Sequence, residues 1–151
     1  VIRAIEVMEV SGRSIREHEA ESLREPCPYR VIQFGLRYRD RETLYERINR
    51  RVDQMAEAGL AEEVREARKN GLTATAAQAI GCKELYGWLD GAETLDAALE
   101  KLKQSTRRYA KRQLTWFGAD KRIHWIEPDA QEEGETPLDR AMKLLEKEGT
   151  E

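Results

Sequence analysis

The sequence predicts an α/β chain that is predominantly helical, with two short strands. Three observations carry this. Of 151 residues, 40% are hydrophobic and 36% are charged, too apolar for wholesale disorder and charged enough to suit long, solvent-exposed helices. Apolar residues recur at three- and four-residue spacing along most of the chain. Two runs, 31–38 and 123–126, have the β-branched and aromatic density of strands.

Each element has a local cause. Ile2, Ile5 and Met8 fall at helical spacing, and Ser11-Gly12 supplies a stop. Because Val1 already lies inside that pattern, the chain reads as a piece of a longer protein. Ser14 caps a second short helix, with Glu17 three residues on as a capping box requires. Pro26 and Pro28 then force extended backbone. Strand 31–38 follows, and Asp40 is a suitable N-cap for a helix with Leu44, Ile48, Val52 and Met55 on one stripe. Gly59 ends it, and another helix runs from Leu60 to Lys69 before Asn70-Gly71. Residues 73–80 read as a short helix or turn, and a helix through Leu85 and Trp88 ends at Asp90-Gly91. Thr94 caps the longest helix, which reaches Phe117; Ala97 in the third position leaves the capping box incomplete. Strand 123–126 is closed by Pro128. Pro137 opens a last helix with Leu138, Met142 and Leu145 on one face. Two isolated strands make no stable sheet. They need partners from missing sequence or from a second copy, a homodimer.

Several classes are excluded. No run of about 18 apolar residues is present to span a membrane, and the N-terminus lacks a secretory signal pattern. Cys27 and Cys82 stand far apart in no metal spacing, which favours a reducing, cytoplasmic setting. Cys82 reads as a small buried hydrophobe. His18 and His124 have no nearby partner of metal-ligand type, so no metal site is expected.

Net charge is −3, yet it is unevenly spread. Lys101–Arg122 holds eight basic residues against one acidic, a local +7, and Glu127–Glu151 holds nine acidic against three basic, −6. In helical projection Leu95, Leu99, Leu102, Thr106, Tyr109, Ala110 and Phe117 gather on one side, and Arg108, Lys111, Arg112 and Thr115 on the other. The cations lack acidic partners four residues away. Uncompensated cations beside Tyr109 and Trp116 suit nucleic acid, the cations neutralising phosphates and the rings stacking on unpaired bases. Core packing is the competing reading for both rings. Gln113 projects to the apolar side, either as a core hydrogen-bond clasp or as a reader of a base edge. Arg47 and Arg51 read as helix-surface residues pairing with Glu46 or Glu42.

Several stretches, in order, resemble tRNA dimethylallyltransferases. Arg3-Ala4-Ile5-Glu6-Val7 with Ser11-Gly12 is similar to the family's R-A-[LI]-E-V…[ST]-G. Pro28-Tyr29, Arg39 to Ile48, Arg51, Met55 and the Gly59-Leu60…Glu62-Glu63-Val64 turn also match. Ala79-Ile80-Gly81-Cys82-Lys83-Glu84 resembles A-I-G-Y-[KR]-E, and Thr106 to Phe117 is close to T-R-x-[YL]-A-K-R-Q-x-T-W. The likeness covers residues 1 to about 126; residues 127–151 form an acidic loop and terminal helix outside it.

The resemblance implies the C-terminal part of a P-loop NTPase-like fold. It implies transfer of a dimethylallyl group from dimethylallyl diphosphate to the exocyclic amine of the adenosine 3′ of the tRNA anticodon, with magnesium as cofactor. It assigns tRNA contact to Gln78, Gly81, Lys83, Arg108, Lys111, Arg112, Gln113, Thr115 and Trp116, and places Arg3 beside the diphosphate pocket. The ATP-type phosphate loop, G-x-x-x-x-G-K-[ST], is not in this sequence, nor is the stretch with the family's general-base aspartate. No catalytic residue is therefore assigned here, and the isolated chain is expected to be inactive. Cys82 replaces an aromatic, and Gly118-Ala119 stands where two basic residues are usual. A stand-alone helical RNA-binding module without chemistry, and a helical interaction protein meeting an acidic partner, are the competing readings.

Overall fold

The computed structural model describes residues 2–24, 28–130 and 134–149; the expectations for Pro26 and Cys27 lie outside them. The chain divides into two compact units, Val1–Val31 and Ile32–Glu151.

The first unit is a helical hairpin of α1 (Ile2–Ser11) and α2 (Ile15–Ser22). The capping box forms as read: Glu17 N donates to Ser14 Oγ at 3.3 Å, and Ser14 N donates to the Glu17 carboxylate at 2.7 Å. These bonds hold the Glu17 carboxyl below its usual range. Ile2, Ile5 and Met8 are exposed.

In the second unit β1 (Gln33–Leu36) pairs in parallel with β2 (Ile123–Ile126), Gln33 opposite Ile123 and Leu36 opposite Ile126. The strands thus find each other within one chain. A parallel pair needs a long crossover, here α3 (Arg41–Glu57), α4 (Leu60–Lys69), α5 (Ala74–Ala77), a 3₁₀ turn (Lys83–Leu85), α6 (Tyr86–Leu89) and α7 (Leu95–Phe117). β1 is half the length of the run that suggests it, because β2 offers only four partners before Pro128; one further bond, Arg37 N to Ile126 O at 3.0 Å, ends the ladder. Gly35 lies against the Trp125 ring, where a Cβ would sit 2.8 Å from ring carbons and from Ile123 Cγ2.

The C-terminal ends of both strands are fastened together. Glu127 accepts Arg37 Nε at 2.9 Å on one carboxylate oxygen and Arg39 Nε at 3.1 Å on the other. Asp129 accepts the backbone N–H groups of Arg39 and Asp40 at 2.9 and 2.8 Å. Asp40, as expected, caps α3 by accepting from Glu42 and Thr43.

The core lies among the crossover helices: Val52, Leu60, Val64, Leu85, Ala98 and Leu102, with Ile80, Cys82 and Trp88 packed on it. Cys82 packs on this core as a small apolar residue but is half-buried, less enclosed than the buried hydrophobe expected. Thr94 caps α7 through Ala97 N without a reciprocal partner. α8 (Pro137–Gly149) starts at Pro137. Its Leu138, Met142 and Leu145 stripe is exposed; Ala141, Leu144 and Glu148 are the half-buried positions, with Glu148 3.7 Å from His124 on β2. No helix among the described residues is long and apolar enough to cross a membrane.

Candidate nucleic-acid interface

The last turns of α7 gather six of the residues singled out above. Arg108, Lys111, Arg112, Gln113, Thr115 and Trp116 are all exposed and span about 12 Å of helix axis at 1.5 Å per residue. Trp116 is 74% exposed and Tyr109 46%, so neither ring is core packing. Trp116 stands edge-on to Phe117, ring centroids 4.8 Å apart, which fixes the indole beside the helix end. Arg112 lies over the Tyr109 ring at 5.7 Å. Thr115 Oγ1 donates back to Lys111 O at 3.0 Å, holding its hydroxyl along the helix.

The structure sorts the eight cations of the basic stretch. Lys103 Nζ meets Asp53 of α3 at 2.7 Å and Glu100 at 2.9 Å, bonds that raise its pKa. Lys101 reaches Glu93, and Arg107 donates to Asn49 of α3 and lies over Tyr45. Arg122 grips Asp120, holding that carboxyl down at about 2. These four are structural. The four-residue spacing rule misses them because their partners lie two or three residues back or in other elements. Arg108, Lys111, Arg112 and Lys121 form no ion pair among the described residues, so the uncompensated charge collects at the C-terminal end of the helix. The expected pairing of Arg47 and Arg51 with Glu46 or Glu42 is likewise not made: Arg47 lies over the Tyr38 ring at 5.5 Å instead.

Gln113 is exposed, which removes the reading of a buried clasp. It lines an open, mainly apolar groove of about 600 Å³ between the sheet and α7, with Phe34, Leu36, Leu114, Phe117 and Trp125.

The Gln78–Lys83 turn belongs to the same unit but packs further up α7, through Ile80, Cys82 and Leu85 against the Ala98 and Leu102 level. Leu102 and Lys111 are about 13 Å apart along the axis. Gln78 caps α5 and is exposed, as is Lys83. Gly81 sits at φ +106, a left-handed conformation that costs a side chain dearly. What holds it there is a residue to which the sequence reading gives no role. Glu84, 8% exposed, accepts the Gly81 N–H on Oε2 at 2.9 Å. Its other oxygen is buried without a hydrogen-bond partner, with Lys83 Nζ at 3.9 Å. A glycine followed three residues later by glutamate is the only sequence signal for this clasp.

Arg3 belongs to the first unit, exposed on α1 beside a shallow depression shared with Val7, Ile15 and His18. Among the described residues no cluster of three or more His, Cys, Asp or Glu is suited to a metal ion.

A bare cationic strip interleaved with exposed aromatics is the chemistry that proteins use to hold unpaired nucleic acid. Over residues 1–120 the chain matches the IPP transferase family model, and it belongs to that family. The tRNA dimethylallyltransferase of Bacillus subtilis is 48% identical over 147 residues, covering 97% of this chain and 44% of that protein. The enzyme of the same name from Halalkalibacterium halodurans is 44% identical, with the same coverage. Among solved structures, the tRNA isopentenylpyrophosphate transferase of Staphylococcus epidermidis superposes with a TM-score of 0.72 at 36% identity, covering 97% of this chain and 48% of its own. That of Bacillus halodurans gives 0.69 at 35%, covering 97% and 54%. The expected fold class holds: a mostly helical α/β arrangement shared with proteins whose fold is P-loop NTPase-like. The chain spans about half the length of these relatives.

Proposed function

We propose that this chain supplies part of the tRNA grip of a cytoplasmic tRNA dimethylallyltransferase. In that reaction the allylic carbon of dimethylallyl diphosphate leaves its diphosphate oxygen and bonds the exocyclic amine of the adenosine 3′ of the anticodon, releasing diphosphate and one proton from the amine. The target base must be drawn from its stack and held. The observation that carries the reading is the uncompensated strip at the end of α7. Lys111, Arg112 and Arg108 neutralise loop phosphates, which makes binding salt-dependent. Trp116 and Tyr109 offer faces to unstacked bases, and Gln113 presents an amide at the mouth of the apolar groove. Lys83, exposed beside the left-handed turn at Gly81, adds charge toward a second stretch of RNA backbone; Gly81 is itself buried and serves by shaping that turn. Arg3 is assigned to the leaving diphosphate, where a guanidinium offsets developing negative charge. Magnesium belongs with the diphosphate in this reading, held by residues other than the described ones.

The chain alone binds RNA and transfers nothing, since the phosphate-cradling loop is not among its residues. The test is titration of the chain with an anticodon stem-loop carrying an unmodified adenosine, at several salt concentrations, beside Lys111→Ala and Arg112→Ala. Binding that weakens with salt and with either substitution supports the reading. Salt-independent binding, or binding indifferent to both substitutions, contradicts it, and measurable prenyl transfer by the chain refutes the expected inactivity.

A further inference from the structure

α3 carries a second cationic surface that the α7 grip does not use. Its contact face toward α7 is set by Asn49, which accepts from Arg107, and Asp53, which accepts from Lys103. At 3.6 residues per turn, Arg47 and Arg51 leave α3 on the side opposite that contact, and Arg50 leaves it on the flank, about 80° away. With Leu44, Ile48 and Gln54 they line a separate open cleft of about 430 Å³. All three arginines are exposed, and none forms an ion pair among the described residues. Asp53, the acid nearest in sequence on the C-terminal side, is occupied by Lys103. Arg47 is steadied by the Tyr38 ring.

Three exposed guanidinium groups this close in sequence repel one another, and a bound anion relieves that repulsion; Glu46, four residues before Arg50, forms no ion pair with them among the described residues. Their planar forks match phosphate oxygens two at a time. The cleft is open along the helix, so it suits a strand passing across it better than a small anion needing enclosure. We propose that Arg47, Arg50 and Arg51 hold backbone phosphates of the same RNA, a second contact strip on the layer that α3 and α7 form together. This rests on RNA being the partner of α7. Phosphate contacts carry no sequence information, so the strip adds affinity without adding choice of base.

The experiment compares the 151-residue chain with Arg50→Gln/Arg51→Gln and with Lys111→Gln/Arg112→Gln, titrated with an anticodon stem-loop and with a stem-loop of scrambled loop sequence. For the α3 pair we expect the salt slope to fall by about 1.4–1.8 and affinity at 150 mM salt to drop roughly 10- to 30-fold, equally for both RNAs. Arg50→Lys/Arg51→Lys keeps the charge and restores most of the slope, which separates a lost contact from a damaged helix. Unchanged affinity and slope in the α3 pair, while the α7 pair weakens, overturns this strip and leaves the α7 grip standing. No RNA binding by the unaltered chain overturns both. Binding of inorganic diphosphate that the α3 pair abolishes, with RNA binding intact, also overturns it, by making the cleft a small-anion site.

Discussion

Glu84 offers the sharpest test of how the Gly81 turn is held. Glu84→Ala removes the acceptor of a buried N–H made at 2.9 Å. A stranded buried donor costs about 1–3 kcal/mol, and loss of the side-chain methylene adds about 0.8 kcal/mol. The sum is about 2–4 kcal/mol, or roughly 4–16 °C in Tm for a domain of this size. Glu84→Gln behaves differently. Its amide oxygen still accepts from Gly81, and losing the charge eases burial, but the NH₂ placed at the buried, partnerless oxygen brings donors with no acceptor. Glu84→Gln should then destabilise by less than Glu84→Ala. Urea unfolding read by tryptophan fluorescence suits this, since Trp88, Trp116 and Trp125 all lie in the Ile32–Glu151 unit and Trp88 packs on the core. Should Gln destabilise as much as Ala, the charge facing Lys83 and not the hydrogen bond would be holding the turn, and this reasoning would fail.

Other consequences follow from the strand pair. Gly35→Val places carbon against the Trp125 ring and Ile123 where even a Cβ has only 2.8 Å; a loss of about 1–3 kcal/mol in urea unfolding is expected, and an unchanged midpoint would contradict the packing. Glu127 is held below its usual range by hydrogen bonds from Arg37 and then Arg39, and Asp129 by the N–H groups of Asp40 and Arg39. A carboxyl lowered on folding stabilises above its unfolded pKa, about 4, and that stability is lost as pH falls through the lower folded value. Tm should therefore fall from pH 5 to pH 3, less steeply in Glu127→Gln, and an identical slope in both proteins would remove the clamp from the account.

Local signals were the legible ones. Thr94 and Gly59 are punctuation that acts over a few residues, so the bounds of α4, α7 and β2 follow from the sequence as read. Pairing of β1 with β2 joins positions such as Gln33 and Ile123, and no local rule reports a contact across so long a crossover. The same distance hides Asp53 from Lys103 and Asn49 from Arg107, so the basic stretch reads as more bare than it is. The run 31–38 shows what a strand is made of but not how many partners it will find. Glu84 is invisible for another reason: a lone glutamate in a short turn is ordinarily a surface residue, and only the burial of Leu85 beside it brings its carboxylate inward. The site residues quoted from the family motifs divide the same way. The structure gathers those on α7, packs the turn of Gly81 and Lys83 against an earlier level of that helix, and puts Arg3 in a separate unit.

The measurement closest to the central claim is the fluorescence of Trp116 during RNA titration. A base stacked on an exposed indole quenches it. Saturable quenching by an unmodified anticodon stem-loop is expected, and it should disappear in Trp116→Phe while Trp88 and Trp125 remain. Quenching of equal size in both proteins, or RNA binding with no change in emission, would show that the end of α7 is not where unpaired bases rest.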